Sequence, residues 1–248
     1  MNEVMQNLIS RKSVRVYTPQ PISPEHRQAI LTAAVHAPTA GNQQLYTILD
    51  ITDQQIKDTL AKTCDNQPFI ASAPLVLIFC ADLQKWYDAY RAAGCQPRHP
   101  GKGDLLLAVE DALCAAQNAV TAAWSFGIGS CYIGDVMENY EIHQELLHLP
   151  AYVYPAAMLV FGYPTPQQAE REKPERFAME HIVHQNAYRT MQEAELRSMF
   201  ASRTKTKGFT DLLSAIYKRK YNSDFSAEMN RSAEKYMEAF TFAPDTDS

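Results

Sequence analysis

Arg11-Lys12-Ser13-Val14-Arg15 gathers three cations and a hydroxyl into one short run. Such a set can hold a phosphate through charge-assisted hydrogen bonds, because the guanidinium fork matches phosphate oxygens. In an extended chain alternate side chains share a face, so Arg11, Ser13 and Arg15 would converge on one anion. A solvated basic turn has the same composition. A second segment, Pro38-Thr39-Ala40-Gly41-Asn42-Gln43-Gln44, lies between a helix end and a strand. Small residues followed by amides let a flat ring approach the backbone while Asn and Gln read its polar edge, although an ordinary connecting loop looks alike. The third segment, Gly127-Ile128-Gly129-Ser130-Cys131-Tyr132-Ile133-Gly134, reads as a buried strand and turn. The fourth, Phe161-Gly162-Tyr163-Pro164, is a strand exit followed by Arg171, Lys173-Pro174 and Arg176.

Other chemistries lack their residues. Gly127 and Gly129 are followed by glycine only at 134, so no GxGxxG turn forms, and Pro100-Gly101-Lys102-Gly103 lacks the spacing of a P-loop. Neither HExxH nor GxSxG occurs. His181 and His184 could share a helix face, but no acid stands at ligand spacing, and no metal is expected. The five cysteines are odd in number and form no CxxC pair, which favours reduced thiols over disulfides or zinc ribbons. Cys131 reads as a buried, inert thiol. A net charge of −5, from 23 Lys+Arg and 28 Asp+Glu, argues against a nucleic-acid binder. The apolar stretch from Ala73 to Ala81 is far short of the ~20 residues that span a membrane. MNEVMQNLISRK has no apolar core of the signal-peptide kind, so a cytoplasmic protein without membrane partners is expected.

The positioning elements follow from periodicity and capping. Residues 3–10 form a short amphipathic segment. Ser23 as N-cap, Pro24 at the first helical position and Glu25 predict a helix that stops before Pro38. Residues 45–51 read as a strand, and Asp53 caps a further helix carrying Ile56, Leu60 and Ala61. Leu75 to Cys80 is a continuous apolar run, suited to a central strand covered on both faces. Residues 104–126 form the strongest helix, apolar almost all round in its second half and therefore expected to be buried. Strands follow at 128–133 and 156–162. After Pro174 only helices are expected, at 188–200, about 208–218 and 226–240. These helices are more charged than the rest, and exchanging such an arm between subunits is one way to build a dimer.

Together and in this order, the four segments resemble the nitroreductase family of flavin mononucleotide (FMN) enzymes. The likeness is closest to the NADPH-preferring branch of oxygen-insensitive nitroreductases and flavin reductases. It runs from residue 3 to about 190, with echoes at Ile182-Val183-His184, Asn186, Tyr188 and Phe225 to Ser232. The resemblance implies an α+β, nitroreductase-like fold with a central mixed β-sheet flanked by helices. It implies a single domain over residues 1–248, with a core to about 187 and a helical arm over about 188–248 exchanged in an intertwined homodimer.

By the same resemblance Arg11, Ser13 and Arg15, with Lys12 beside them, hold the flavin phosphate and pyrimidine edge. Pro38, Thr39, Ala40, Asn42 and Gln44 reach the site from the other subunit. Gln67 supplies an amide near the flavin, and Tyr132, Ile133 and Gly134 lie behind the ring. Lys173 completes the phosphate site with Arg176, displaced by one position from the family's triplet, or with Arg171. The activity implied is ping-pong hydride transfer from NADPH, with NADH as an alternative donor, through tightly bound, non-covalent FMN. The acceptors would be nitroaromatics, quinones or flavins, and no protein nucleophile is required. Arg203, Lys205 and Lys207 form a basic loop about where the branch binds the NADPH 2′-phosphate; a solvated loop has the same composition. A non-catalytic flavin sensor or store would carry the same motifs.

Overall fold

The computed structural model describes residues 1–204 and 208–241. In chain order the chain forms α1 (Glu3–Ser10), α2 (Pro24–Val35), β1 (Tyr46–Asp50), α3 (Gln54–Thr63), α4 (Pro68–Ala71) and β2 (Leu75–Asp82). Then come α5 (Gln84–Ala92), α6 (Lys102–Ser125), β3 (Gly129–Ile133), α7 (Tyr140–Leu146), β4 (Val153–Gly162) and α8 (Pro166–Glu170). The last helices are α9 (Glu193–Met199), α10 (Phe209–Ile216), a π-helical turn (Tyr217–Tyr221) and α11 (Asp224–Met237). The expected caps are in place: Ser23 Oγ accepts from the His26 N–H at 3.2 Å, and Asp53 Oδ1 accepts from the Gln55 and Ile56 N–H groups. Three helices, α5, α7 and α8, are not foreseen by the sequence reading. None has a side-chain cap, and α7 starts from a left-handed Asn139.

The four strands are ordered β1-β2-β4-β3, and every ladder is antiparallel, not mixed as expected. The long helix between β2 and β3 is a crossover, and those two strands do run parallel. However, β4 inserts between them and pairs antiparallel with both. Among the described residues, parallel pairing is confined to an isolated bridge between Ser13 and Ser130. β2 and β4 are buried along their whole length, as the unbroken apolar runs require.

α6 packs on the sheet and on α2 through a face of small residues: Ala108, Ala112, Ala115, Ala116, Ala119 and Ala123 are fully buried. It is not buried all round, because the methyl face allows one-sided close approach and leaves the larger leucines outward. Leu106, Leu107 and Leu113 are 59%, 42% and 41% exposed. By length and composition this 24-residue helix could cross a membrane, yet its alanine face is core and carries a buried Asp111.

Two compact units are present, residues 1–171 with 228–248, and residues 172–227. The sequence reading draws the line near 187 and places all of the final helix in the arm. The difference arises because Ser232, Tyr236 and Phe240 are buried in the first unit. Ser232 Oγ also accepts the Tyr140 N–H at 3.0 Å, and Arg231 bridges Glu228 and Glu141. Both carboxyls are held down to about 2, chiefly by hydrogen bonds from Arg231. In the second unit Phe200 packs edge-on against Phe177 and Phe209 at 5.1 and 5.9 Å, with Arg203 over Phe177 and Arg197 over Phe209.

Residues 11–18 cross the end of the sheet as an extended strap. Val14 N–H donates to Ser130 O at 2.9 Å, Thr18 N–H to Tyr163 O at 2.8 Å, and Thr165 N–H returns to Val16 O at 3.3 Å. Gly129 and Gly162, partners in the β3–β4 register, make room for it. A Cβ on Gly129 would lie 2.5 Å from Val14 Cγ2, and one on Gly162 would lie 2.6 Å from the Tyr17 ring. Gly129→Ala therefore forces the strap or the strand to move, at about 1–3 kcal/mol. Gly103→Ala, whose Cβ would meet nothing within 4 Å, is the control and should be neutral or stabilising. Denaturant midpoints that fall only for Gly129→Ala are expected; equal midpoints would remove the packing role of this contact.

Candidate functional site

The alternation expected of the strap is present. Lys12 and Val14 are buried, while Arg11, Ser13 and Arg15 share the opposite, accessible face. The strap itself is fixed from below. Arg15 N–H donates to Gln168 Oε1 at 3.3 Å, and Tyr17 OH donates to Val14 O at 2.9 Å. Lys12 points away from that face and donates Nζ to Ala169 O at 2.6 Å and to Arg171 O. Arg171 in turn donates Nη2 to Ser13 O at 2.7 Å. Strap and α8 with its C-cap are thus joined by four hydrogen bonds, and the cation adjoining Ser13 is Arg171.

Arg11 Nη1 is buried and hydrogen-bonds to no described group. Leaving a charged donor dry and unpaired is costly, so this atom calls for an anionic oxygen on the Arg11–Ser13–Arg15 face. The residues present therefore fit a phosphate-bearing ligand. Cys131 borders the same cations. Burial raises its pKa, and the Arg15, Ser13 and Arg11 groups that oppose this do not reverse it, so the thiol stays protonated. Burial also pushes Tyr132 up to about 12, with its OH 3.5 Å from Gln117 Oε1. Ile133 is buried, and Gly134 opens a one-turn 3₁₀ helix to Met137. Behind that turn Glu138 is pushed up to about 7, first by burial and then by Asp135, Asp65 and Glu228.

The Pro38–Gln44 loop owes its shape to a residue that the sequence reading does not single out. Buried Asp111, on the alanine face of α6, accepts the Ala40 N–H at 2.8 Å, the Leu45 N–H at 3.0 Å and the Thr39 hydroxyl. Thr39 Oγ1 accepts the Gln44 N–H at 2.8 Å, and Trp86 Nε1 donates to Gln43 O at 2.8 Å. With its ends held, the loop passes through left-handed conformations at Gly41, Asn42 and Gln44. The signal for Asp111 was available. It is the one charge in the spacing Ala108, Ala112, Ala115, Ala119 that faces the core.

The remaining expected residues belong to other segments. Gln67, at the start of α4, donates Nε2 to Cys64 O at 2.9 Å. Among the described residues no hydrogen bond joins the 38–44 loop or Gln67 to the strap. Lys173 and Arg176 belong to the second unit, where Arg176 Nη1 donates to Pro174 O at 3.4 Å. Arg203 is in the same unit, its guanidinium 3.9 Å over Phe177 and donating to Glu175 O at 3.2 Å. Lys205 and Lys207 lie outside the described residues.

Asp111→Ala leaves two buried N–H groups without an acceptor, and hydrogen bonds to a charged group contribute roughly 1.5–3 kcal/mol each. A stability loss of about 2–4 kcal/mol is expected, with hydrogen exchange accelerated at Ala40 and Leu45. Unchanged protection at these two amides would show that the loop is held by other means.

Comparison with known proteins identifies the family. The Nitroreductase family model matches residues 8–163, which include the strap, the amide loop and all four strands. The FMN reductase [NAD(P)H] of Bacillus subtilis is 30% identical over 240 residues, covering 89% of this chain and 93% of the relative. The oxygen-insensitive NADPH nitroreductase of Salmonella typhimurium is 32% identical over 194 residues, 78% of each chain. The crystal structure of nitroreductase A from Vibrio parahaemolyticus superposes with a TM-score of 0.82 at 25% identity, covering 96% of this chain and 98% of that one. With the family model matching residues 8–163 and relatives at 30–32% identity over most of its length, the chain belongs to the nitroreductase family.

Proposed function

We propose that this protein is an FMN-dependent NAD(P)H oxidoreductase of the nitroreductase and flavin-reductase type, acting as a single catalytic domain. The observation that carries this is the strap, where three side chains share one face and a buried Arg11 Nη1 lacks an acceptor. Relatives named as FMN reductases and an NADPH nitroreductase support the same reading. Arg11 and Ser13 hold the phosphate, joined by Arg171, which already donates to Ser13 O. Lys173 and Arg176 are further cations for that group. Lys12 serves from beneath, by fixing the carbonyls of Ala169 and Arg171.

Bound FMN supplies the redox chemistry, taking hydride equivalents from a nicotinamide and yielding them to a nitroaromatic, quinone or flavin. The chain binds, orients and tunes. Arg15 places positive charge where negative charge develops on reduction. Asn42, Gln44 and Gln67 offer amides to the polar edge of the ring, and Tyr132, Ile133 and Gly134 close its back. Pro38, Thr39 and Ala40 shape the loop that carries those amides. Donor and acceptor occupy one pocket in turn, and no protein nucleophile takes part, consistent with a protonated Cys131.

The functional unit is a homodimer. Leu106 and Leu113 stand one heptad apart on the outer face of α6, with Leu107 beside them, and suit a like surface. In that assembly the 38–44 loop completes the site of the partner subunit and the helical arm is exchanged. Placement in the cytoplasm accords with five free thiols.

Two measurements test this reading. The purified protein should show the two visible bands of an oxidised flavin, which bleach on adding NADPH without oxygen. Arg11→Ala should weaken FMN binding by roughly 10- to 100-fold, the equivalent of a charged hydrogen bond, without lowering the stability of the apoprotein. A flavin spectrum unmoved by NADPH or NADH would instead favour a sensor or store. Failure to take up FMN would overturn the proposal. Removing charge at Arg203, Lys205 and Lys207 should raise KM for NADPH about tenfold and spare NADH; equal effects on both would defeat a 2′-phosphate role.

A further inference from the structure

Glu138 closes the 3₁₀ turn after β3 and is only 5% exposed, and its Oε1 is buried and hydrogen-bonds to no described group. A buried carboxylate is normally held by donors or a cation, because ionising it in a dry site is costly. Here the neighbours add to that cost. Asp135 faces it from its own turn, Asp65 from the corner between α3 and α4, and Glu228 from α11. The other titratable groups around them are neutral or engaged. Burial keeps the Cys64 thiol protonated and the His143 ring uncharged, and Arg231 is held by Glu228 and Glu141. Three elements meet beside the acid. Asn139 donates its N–H to Glu228 Oε1 at 3.1 Å and its side-chain amide to Thr63 O at 2.9 Å, and Tyr140 N–H donates to Ser232 Oγ at 3.0 Å.

We propose that Glu138 is a proton-controlled latch on the C-terminal helix: the neutral acid lets the turn, the end of α3 and α11 pack together, and release of its proton to solvent loosens the seat of α11. The chain re-enters the first unit at Glu228, so the latch sets how firmly that return is held. Burial, then Asp135, Asp65 and Glu228, raise the Glu138 pKa from 4.5 to about 7, so the packed state prefers the protonated acid. Its contribution is complete below pH 4.5 and is lost as pH rises through about 7. Glu141 and Glu228, held at about 2, act in the acid range and leave this window alone. His143, kept neutral by burial, acts with the opposite sign and so opposes the latch without imitating it.

The test is amide hydrogen exchange of the FMN-loaded protein at about pH 6 and about pH 8, on either side of the latch, with each rate corrected for the intrinsic pH dependence of exchange. Protection at Asn139 and Tyr140 should fall by about tenfold between the two, the loss expected when a pKa of about 7 relaxes to 4.5 on opening. Ala40 and Leu45, which Asp111 holds, are the internal reference and should not change. Glu138→Gln, uncharged throughout, should keep its protection at the higher pH. Asp65→Asn should move the midpoint of the fall to lower pH; Asp65 is exposed and left-handed, a conformation that Asn tolerates, so this variant decides the matter even where Glu138→Gln proves unstable. Equal protection at both pH values, a fall that persists in Glu138→Gln, or an unmoved midpoint in Asp65→Asn would each overturn the proposal. None of these rates depends on electron transfer, so a failure here is distinct from a flavin spectrum that NADPH fails to bleach.

Discussion

Two paired glycines decide where the basic strap can lie. Gly129 and Gly162 face each other across β3 and β4, and each is covered by a strap side chain, Val14 or Tyr17, at a distance that admits no Cβ. Once Val14 is seated, the two-residue alternation of an extended chain leaves little freedom. Lys12 must point inward toward the carbonyls ending α8, and Arg11, Ser13 and Arg15 must point out together. Convergence of charge on one face is thus a packing result before it is an electrostatic one. The unpartnered Arg11 Nη1 is what remains when packing places a guanidinium against the protein without an acceptor.

The second half of the site depends on a buried charge. Asp111 stands on an otherwise alanine face, and burying a carboxylate there is tolerable only because two N–H groups and one hydroxyl converge on it. The same bonds close the ends of a loop whose middle residues adopt left-handed conformations. A loop constrained in this way presents its amides in one arrangement, which is what a recognition surface for a flat ring requires.

Much of this was legible in the sequence, for identifiable reasons. Ser23-Pro24 and Asp53 mark helix starts because their side chains satisfy exposed N–H groups locally, and β2 announces itself as an unbroken apolar run. The shared face of Arg11, Ser13 and Arg15 follows from alternation alone. What could not be read locally depends on non-local placement. The antiparallel sheet arises because β4, last in sequence, inserts between β2 and β3. The inward turn of Lys12 depends on carbonyls more than 150 positions away. The anchoring role of Asp111 depends on a loop some 70 positions earlier. α5 and α7 lack side-chain caps, so their starts carry no local signal.

α6 links these pieces by acting as a ruler. Asp111 pins the amide loop, Gln117 meets Tyr132 six residues and ~9 Å further along, Asn118 holds the end of α2, and Thr121 and Trp124 hold α1 just before the strap. Its three faces carry three tasks: alanines approach the sheet, polar residues hold the flanking segments, and leucines face outward. A larger residue on the alanine face would lift the helix, and with it both the loop and the approach to the strap. That coupling accounts for a 24-residue helix built largely of small side chains where bulkier ones would bury more apolar area. Close approach, more than buried area, sets the spacing between a basic strap and an amide loop that share no hydrogen bond of their own.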